Sequence, residues 1–472
     1  MYPKSTLGAF ALMTVVAMGA TAPASGAQTM STVSTSSVST STGRALLGSG
    51  NSYFNGNPVT IQTARSGSQY SLNDPTRPGL SCGGFGGPAY TKSTDTWGNG
   101  TGTNLETACV DVMFAAQKHW DMLRNWLGRN GIDAVGHSYP ASVGLNSINA
   151  YWDGARAVFG HNSARTNQLT SLDLVGAHYG LGVYAKSGTD DGNGLEAQSL
   201  RRSASDIFGT VTEHYVNHPP ALDEPDYLIG EEVNIVGGGP LIHMYKPSLT
   251  GNQNCYVQTP GGTVDPGPQD HWFYLLAEGT NPPGKPASPV CTGPSPLVGI
   301  GIQKAARIFY LGIQRKSYGW SYRRARMATV QAALSFYGCP EMQATKAAWT
   351  AINVPAQAGE PTCSMPTPTP LPSGPALSGI TVVPPSATVS PGGSTTVQIK
   401  LSPETVQRVA LSTGPLPAGM TVNIIRNDPS ITATITVLTS APQGTHPITF
   451  TATSGDSTRS THFALTVMGD DD

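Results

Sequence analysis

The sequence predicts an α+β protein of two lobes, a β-rich one followed by a helical one, with a separate all-β sandwich at its C-terminal end. Changes of texture along the chain carry this expectation. Between Tyr53 and about Thr101 the chain is rich in Gly, Thr and Ser with strand-like pieces such as VTIQT, whereas from Asp111 apolar residues recur every three or four positions. After Val354 the Pro-rich stretch SMPTPTPLPSGPA intervenes, and beyond it lie short alternating segments bounded by Pro, Gly and Ser.

Residues 1–27 read as a secretory signal peptide: Lys4 precedes the apolar run LGAFALMTVVAMGATA, and Ser25, Gly26 and Ala27 form a small-residue exit with a cut after Ala27. The run is too short for a membrane span and nothing later approaches the needed length, so the expected protein is secreted and extracellular. Only a Ser/Thr-rich segment, 28–46, separates the signal from the globular region, and it cannot bury enough apolar area to be ordered.

The β-rich lobe is expected over 47–167 and the helical lobe over 168–355. VDVMFAAQKHWDMLRNWLG, VGIGIQKAARIFYLGI and ARMATVQAALSFYG carry the helical period. A cleft between two such lobes is the natural place for a ligand. Residues 364–376 form a Pro-rich linker of extended, polyproline character. Over 377–468 the segments GITVV, TTVQIKL, ITATITVL, ITFTATS and HFALTV describe a sandwich that resembles bacterial immunoglobulin-like domains, without Cys or Trp.

A content of 55 Gly and 38 Pro with only 12% charged residues fits an exported, loop-rich protein, expected as a monomer, and a net charge of -2 gives no case for nucleic acid. The 6 cysteines, Cys82, Cys109, Cys255, Cys291, Cys339 and Cys363, are even in number and none forms a C-x-x-C pair. Disulfides are expected between sequence neighbours (82 with 109, 255 with 291, 339 with 363), although other pairings are formally possible.

Several stretches taken together are similar to the thermolysin-like neutral zinc metallopeptidases: DPTRPG, TWGNG, RNGID, SINAYWDG, SLDLVG, SASDIFGTVTEHY, DYLIGEEV, MYKPSLTG, HWFYLLAEG and VGIGIQKAARIFY. Their order and spacing hold over about 47–354. The resemblance implies a two-lobed thermolysin-like fold with a central helix at the floor of the cleft.

In that family the central helix carries H-E-x-x-H, two His that bind zinc and a Glu that polarises the attacking water. Laid without gaps on SLDLVGAHYGLGVY, the ligand positions fall on Ala177 and Leu181 and the base on His178. The third ligand position falls on Arg202, which cannot coordinate a cation or lose its proton near neutral pH. The His expected to stabilise the transition state falls on Thr263, and the Arg expected before MYKPSL falls on Ile242. Zinc is therefore predicted absent.

The calcium ligands that the resemblance implies map onto Asp173, Glu213, Asp226 and Glu231, all carboxylates. Asn149 and Ala150, which in the family pair with an extended peptide, are in place. His178 reads as a polar residue on a partly exposed helix face, and Asp206 as an ion-pair partner for Arg202 one turn earlier. His214 and His218 share a helix face at i and i+4 but lack a third ligand. Active relatives carry a long inhibitory pro-domain, and no comparable stretch stands between residues 27 and 47. The functional expectation is a catalytically inactive homologue, a pseudopeptidase that binds a peptide or extracellular protein in its cleft. The alternative is an active zinc endopeptidase with an altered site.

Overall fold

The computed structural model describes residues 43–258, 265–363, 377–402, 409–414, 416–427, 430–454 and 457–469. The expected signal peptide, most of the Ser/Thr tract, the linker 364–376 and Thr263 lie outside the described residues. The chain divides into two compact units, Met1–Cys363 and Ser364–Asp472.

The first unit opens with a sheet of order β5-β3-β2-β1-β6, built from β1 (Arg44–Gly50), β2 (Val59–Ser66), β3 (Gln69–Ser71), β5 (Thr91–Lys92) and β6 (Thr96–Trp97). β1 begins inside the tract expected to be disordered. Its residues from Arg44 pair antiparallel with β2 along their whole length, so a partner strand supplies the order that local composition does not. A second sheet, of order β4-β7-β9-β8, comprises β4 (Cys82–Gly84), β7 (Ala141–Val143), β8 (Ala150–Trp152) and β9 (Ala157–Phe159). Among the described residues β8 is an edge strand, hydrogen-bonded to β9 on one side only. Between these strands in sequence runs α1 (Leu105–Asn125), whose cap Asn104 accepts the Thr107 N–H.

The helical half contains α2 (Leu172–Ala185), α3 (Leu195–Val216), the short hairpin β10 (Leu228–Ile229) and β11 (Ile242–His243), α4 (Gly267–Ala277), α5 (Ile302–Ile313), α6 (Tyr322–Phe336) and α7 (Cys339–Ala351). α2 is buried on nearly every side, which its apolar sequence allows. It packs unusually close to α3. A Cβ on Gly180 would stand 2.3 Å from the Phe208 Cβ, and one on Gly209 would stand 2.5 Å from the Asp173 carbonyl oxygen. One apolar core runs through both halves and includes Trp97, Met113, Phe159, Tyr179, Phe208 and Trp272.

The disulfides join Cys82 to Cys109, Cys255 to Cys291 and Cys339 to Cys363, the pairing between sequence neighbours. The last of these ties the end of the unit back to the first residue of α7. Beside it Glu360, nearly fully buried, takes the Arg326 guanidinium and is 3.6 Å from the Lys346 ammonium.

The second unit is a two-sheet sandwich. One sheet has the order β12-β14-β17-β16, from β12 (Gly379–Val383), β14 (Ser394–Ser402), β16 (Met420–Asn427) and β17 (Ser430–Val437); the other has the order β13-β19-β18-β15, from β13 (Ser386–Val389), β15 (Ala410–Thr413), β18 (Gly444–Ser454) and β19 (Ser457–Val467). Val397, Ile399 and Ile435 of the first sheet share a core with Ile448, Phe450 and Leu465 of the second. Among the described residues no helix is long and apolar enough to cross a membrane.

Candidate functional site

The first turn of α2 and the last of α3 face the segment leading into and out of β10, and all three bring acids. Asp173 is buried at the start of α2, with the Ser171 hydroxyl donating to one oxygen at 2.5 Å and the Gly230 N–H to the other at 2.6 Å. Glu213, also buried, accepts the Asp226 N–H at 2.8 Å. Carboxylate oxygens of Asp173, Glu231 and Glu232 lie within 4.8 Å of one another, as do those of Glu213, Asp223 and Glu231. Glu231 is thus common to both sets.

Such crowding is costly for bare carboxylates. Burial, then repulsion from neighbouring acids, raises Glu213 well above the usual range and pushes Glu231 to about 12. Burial is also the first cause that lifts Asp223 and Asp226 to about 6 and Glu232 to about 9. Oxygens of Glu213, Glu231 and Glu232 are buried without a hydrogen-bond partner among the described residues. A cluster of all-oxygen, anionic donors on three segments fits a hard cation such as Ca²⁺.

Of the expected calcium set, Asp173, Glu213 and Glu231 come together. Asp226 borders them, its Oδ1 taking the Leu228 N–H at 2.6 Å, and it belongs to neither tight group. Sequence reasoning missed Asp223 and Glu232. Their signal was the doubling of acids in LDEPD and in GEEV, where only one member of each was assigned.

One turn further along α2 the character changes. Ala177 is 3% exposed and offers a methyl group, while Leu181 is half-buried. His178 differs from its expected place on a partly exposed face: it is 7% exposed, because α2 lies under β8 and the imidazole fills the space against Phe159. Its Nδ1 lies 2.7 Å from the Leu174 carbonyl oxygen, and the Ala150 backbone stands on the ring as well. Burial lowers the His178 pKa, against the opposing effect of those carbonyls.

On α3, Arg202 is exposed. Among the described residues it closes no ion pair with Asp206, contrary to expectation, and acts on it only through space; its neighbour Arg201 instead holds Asp191 at 2.6 Å. Asp206 is pushed up to about 7 by burial, despite the Arg202 charge. Ile242 sits in the β10-β11 hairpin opposite Ile229, an apolar packing position. Zinc requires nitrogen, sulfur or carboxylate ligands around one point, and Ala177, Leu181 and Arg202 do not fit it.

Asn149 is half-buried and gives its carbonyl to the Gly160 N–H at 2.9 Å; Ala150 begins the edge strand β8. His214 and His218 do not converge. His214 bonds the Thr210 carbonyl and packs on Tyr227, whereas His218 reaches Asn55 and stacks on Phe114.

Two family descriptions match this chain in succession: thermolysin metallopeptidase, catalytic domain, over 47–184, and thermolysin metallopeptidase, alpha-helical domain, over 196–354. A transglutaminase-activating metalloprotease of Streptomyces mobaraensis is 37% identical over 327 residues, which cover 65% of this chain and 42% of that protein. Bacillolysin of Bacillus cereus is 29% identical over 339 residues, 66% of this chain and 56% of its own. The chain therefore spans about half the length of the curated relatives it matches. Among solved structures, the precursor of protealysin, a metalloproteinase from Serratia proteamaculans, aligns with a TM-score of 0.45 at 21% identity, covering 68% of this chain and 91% of that one.

Proposed function

The chain belongs to the thermolysin metallopeptidase family, and from that premise we propose that it is a secreted pseudopeptidase: a protein that keeps the family's scaffold and calcium cluster, lacks its zinc chemistry, and acts by holding a peptide or extracellular protein segment in the old cleft. The observation that carries this reading is the contrast along two helices. α2 and α3 bring Asp173 and Glu213 into one acid cluster, yet the same two helices put Ala177, Leu181 and Arg202 where metal ligands are needed. Without a Lewis acid there is nothing here to lower the pKa of a bound water or to polarise a scissile carbonyl.

Binding is supported by the edge strand. Among the described residues β8 pairs with β9 on one side only, so its outer edge can accept an extended chain by strand addition beyond its start, where the Asn149 carbonyl is taken by the Gly160 N–H and the Ala150 backbone by His178. In this reading Asp173, Glu213, Asp223, Glu231 and Glu232 hold Ca²⁺, with Asp226 bordering them, and the ion ties α2 and α3 to the β10 segment. The C-terminal sandwich, read as an immunoglobulin-like module, serves adhesion or spacing, and the protein works as a monomer.

Metal analysis of the purified protein together with a casein and short-peptide cleavage assay tests the proposal. The expected result is zinc well below one ion per chain and no cleavage beyond a heat-killed control. Chelator-sensitive proteolysis with zinc bound one per chain would overturn it and establish the active endopeptidase instead.

A further inference from the structure

α3 and α4 meet along a second face that carries acids, distinct from the cluster around Glu231. On α3, Ser203 and Asp206 are three residues apart and so lie on one side of the helix. Ser203 is 0% exposed and Asp206 half-buried. From α4 comes Asp270, 0% exposed, close enough to Asp206 that the two carboxyls repel and with the Ser203 hydroxyl turned toward it.

Neither oxygen of Asp270 and not the Ser203 hydroxyl has a hydrogen-bond partner of ordinary geometry among the described residues. The groups around them are already engaged. Asp265 takes the N–H groups of Gln253 and Gly267 at 2.8 and 2.9 Å, and the Tyr322 hydroxyl donates to the Asp265 carbonyl. Glu196 takes the Tyr256 hydroxyl and the Tyr322 N–H. Arg202, the cation nearby, is exposed and closes no ion pair with either carboxylate among the described residues. The buried lone pairs left open in this region thus belong to Ser203 and Asp270, with the Asp206 carboxyl alongside them.

Burying neighbouring carboxylates without donors is unfavourable unless something neutralises them. A shared proton removes one charge but bonds one oxygen and leaves the others unmet. A hard cation uses them together, and two carboxylates with a hydroxyl are the donors such an ion takes. We propose that Ser203, Asp206 and Asp270 form a binding site for a hard divalent cation of the Ca²⁺ class, between α3 and α4 and separate from the acid cluster that contains Glu231. Arg202 is exposed, so solvent screens the charge with which it opposes the ion, while Asp270 is repelled by Asp206 and Asp265, and Asp206 by Asp173.

The test counts ions on the full chain by native mass spectrometry, after chelator stripping and titration with Ca²⁺. Asp270→Asn should carry one Ca²⁺ fewer than the unmodified protein at saturation, or bind that ion at least about tenfold more weakly. Glu231→Gln should lose ions of the other cluster and keep this one, which separates the two sites. Asp206→Asn gives the same reading if Asp270→Asn does not fold. An unchanged Ca²⁺ count and affinity in these α3-α4 variants would overturn the proposal. It fails equally if Asp270→Asn melts higher than the unmodified protein while its count is unchanged, since the pair would then carry a proton rather than a metal.

Discussion

The two ends of α2 have had different fates. Its first turn places Asp173 in a cluster of buried carboxylates, and its middle carries Ala177, His178 and Leu181, the residues that the proposed register sets against the family's metal-binding motif. α3 repeats the contrast, with Glu213 at one end and Arg202 nearer the other. Both regions lie on the same pair of closely packed helices, so an error of register cannot spare one and spoil the other. What the difference teaches is that the scaffold's demands and the reaction's demands fall on separate residues. A Cβ at Gly180 or Gly209 would strike the facing helix, whereas position 177 carries only a buried methyl and the side chain at 202 is exposed.

The sharpest way to break this comparison is to rebuild the lost half. Ala177→His, His178→Glu, Leu181→His and Arg202→Glu together should take zinc content from well below one ion per chain to one, measured by elemental analysis, because ligands act as a set. Each single change should leave zinc where it was, since every partial repair still leaves an aliphatic or cationic group in the set. Zinc binding by the unmodified chain would erase the contrast.

The retained half should respond strongly to chelation. An ion bound only by the folded state at about a thousandfold over its Kd stabilises by about 4 kcal/mol, so removing it should lower Tm by on the order of 10 °C. The loss should deepen with pH. Carboxyl pKa values raised in the fold, about 6 for Asp223 and Asp226 and about 9 for Glu232, mean that the metal-free folded protein holds more protons than the unfolded chain above about pH 4. Stability in chelator therefore falls as pH rises through that window, and added Ca²⁺ should flatten the dependence. A melt indifferent to both chelator and pH would refute the calcium assignment.

Two smaller effects sharpen the boundary. Gly180→Ala should destabilise by about 1–3 kcal/mol in urea unfolding, through its clash with Phe208. Arg202→Ala should change stability by less than about 0.5 kcal/mol, because the side chain is exposed, closes no ion pair among the described residues, and acts on Asp206 and Asp270 only through solvent-screened space. A large loss on removing Arg202 would mean that the guanidinium has become a structural replacement for the metal.

The lobes, the sandwich and the disulfide pairing were legible because periodicity, turn residues and cysteine order are written locally. The start of β1 was not, since Arg44 to Leu46 are ordered by β2 rather than by their own composition. β13, β15 and β16 were not legible for a related reason: they are short or weakly alternating and depend on neighbours in their sheets. At the site, Asp173, Glu213 and Glu231 could be named from register, and the structure brings them together. The burial of His178 could not, because it depends on the strand β8 that covers α2, and neither could the inclusion of Asp223 and Glu232, which depends on how the chain folds back around β10.

The Cys339–Cys363 bond has a mechanical side. Cys363 is the last residue before the Pro-rich stretch that leads to the sandwich, and its partner begins α7. If the C-terminal module grips a surface while the rest is dragged by flow, tension entering at residue 364 is passed through the sulfur bridge into the N-terminal end of a packed helix. It does not pull along the segment from Ala351 to Cys363, which the covalent loop shields from extension. The helical half should then resist peeling from its C-terminal end until the bridge is reduced, and single-molecule stretching with and without reductant would read that difference as a change in rupture force and in released length.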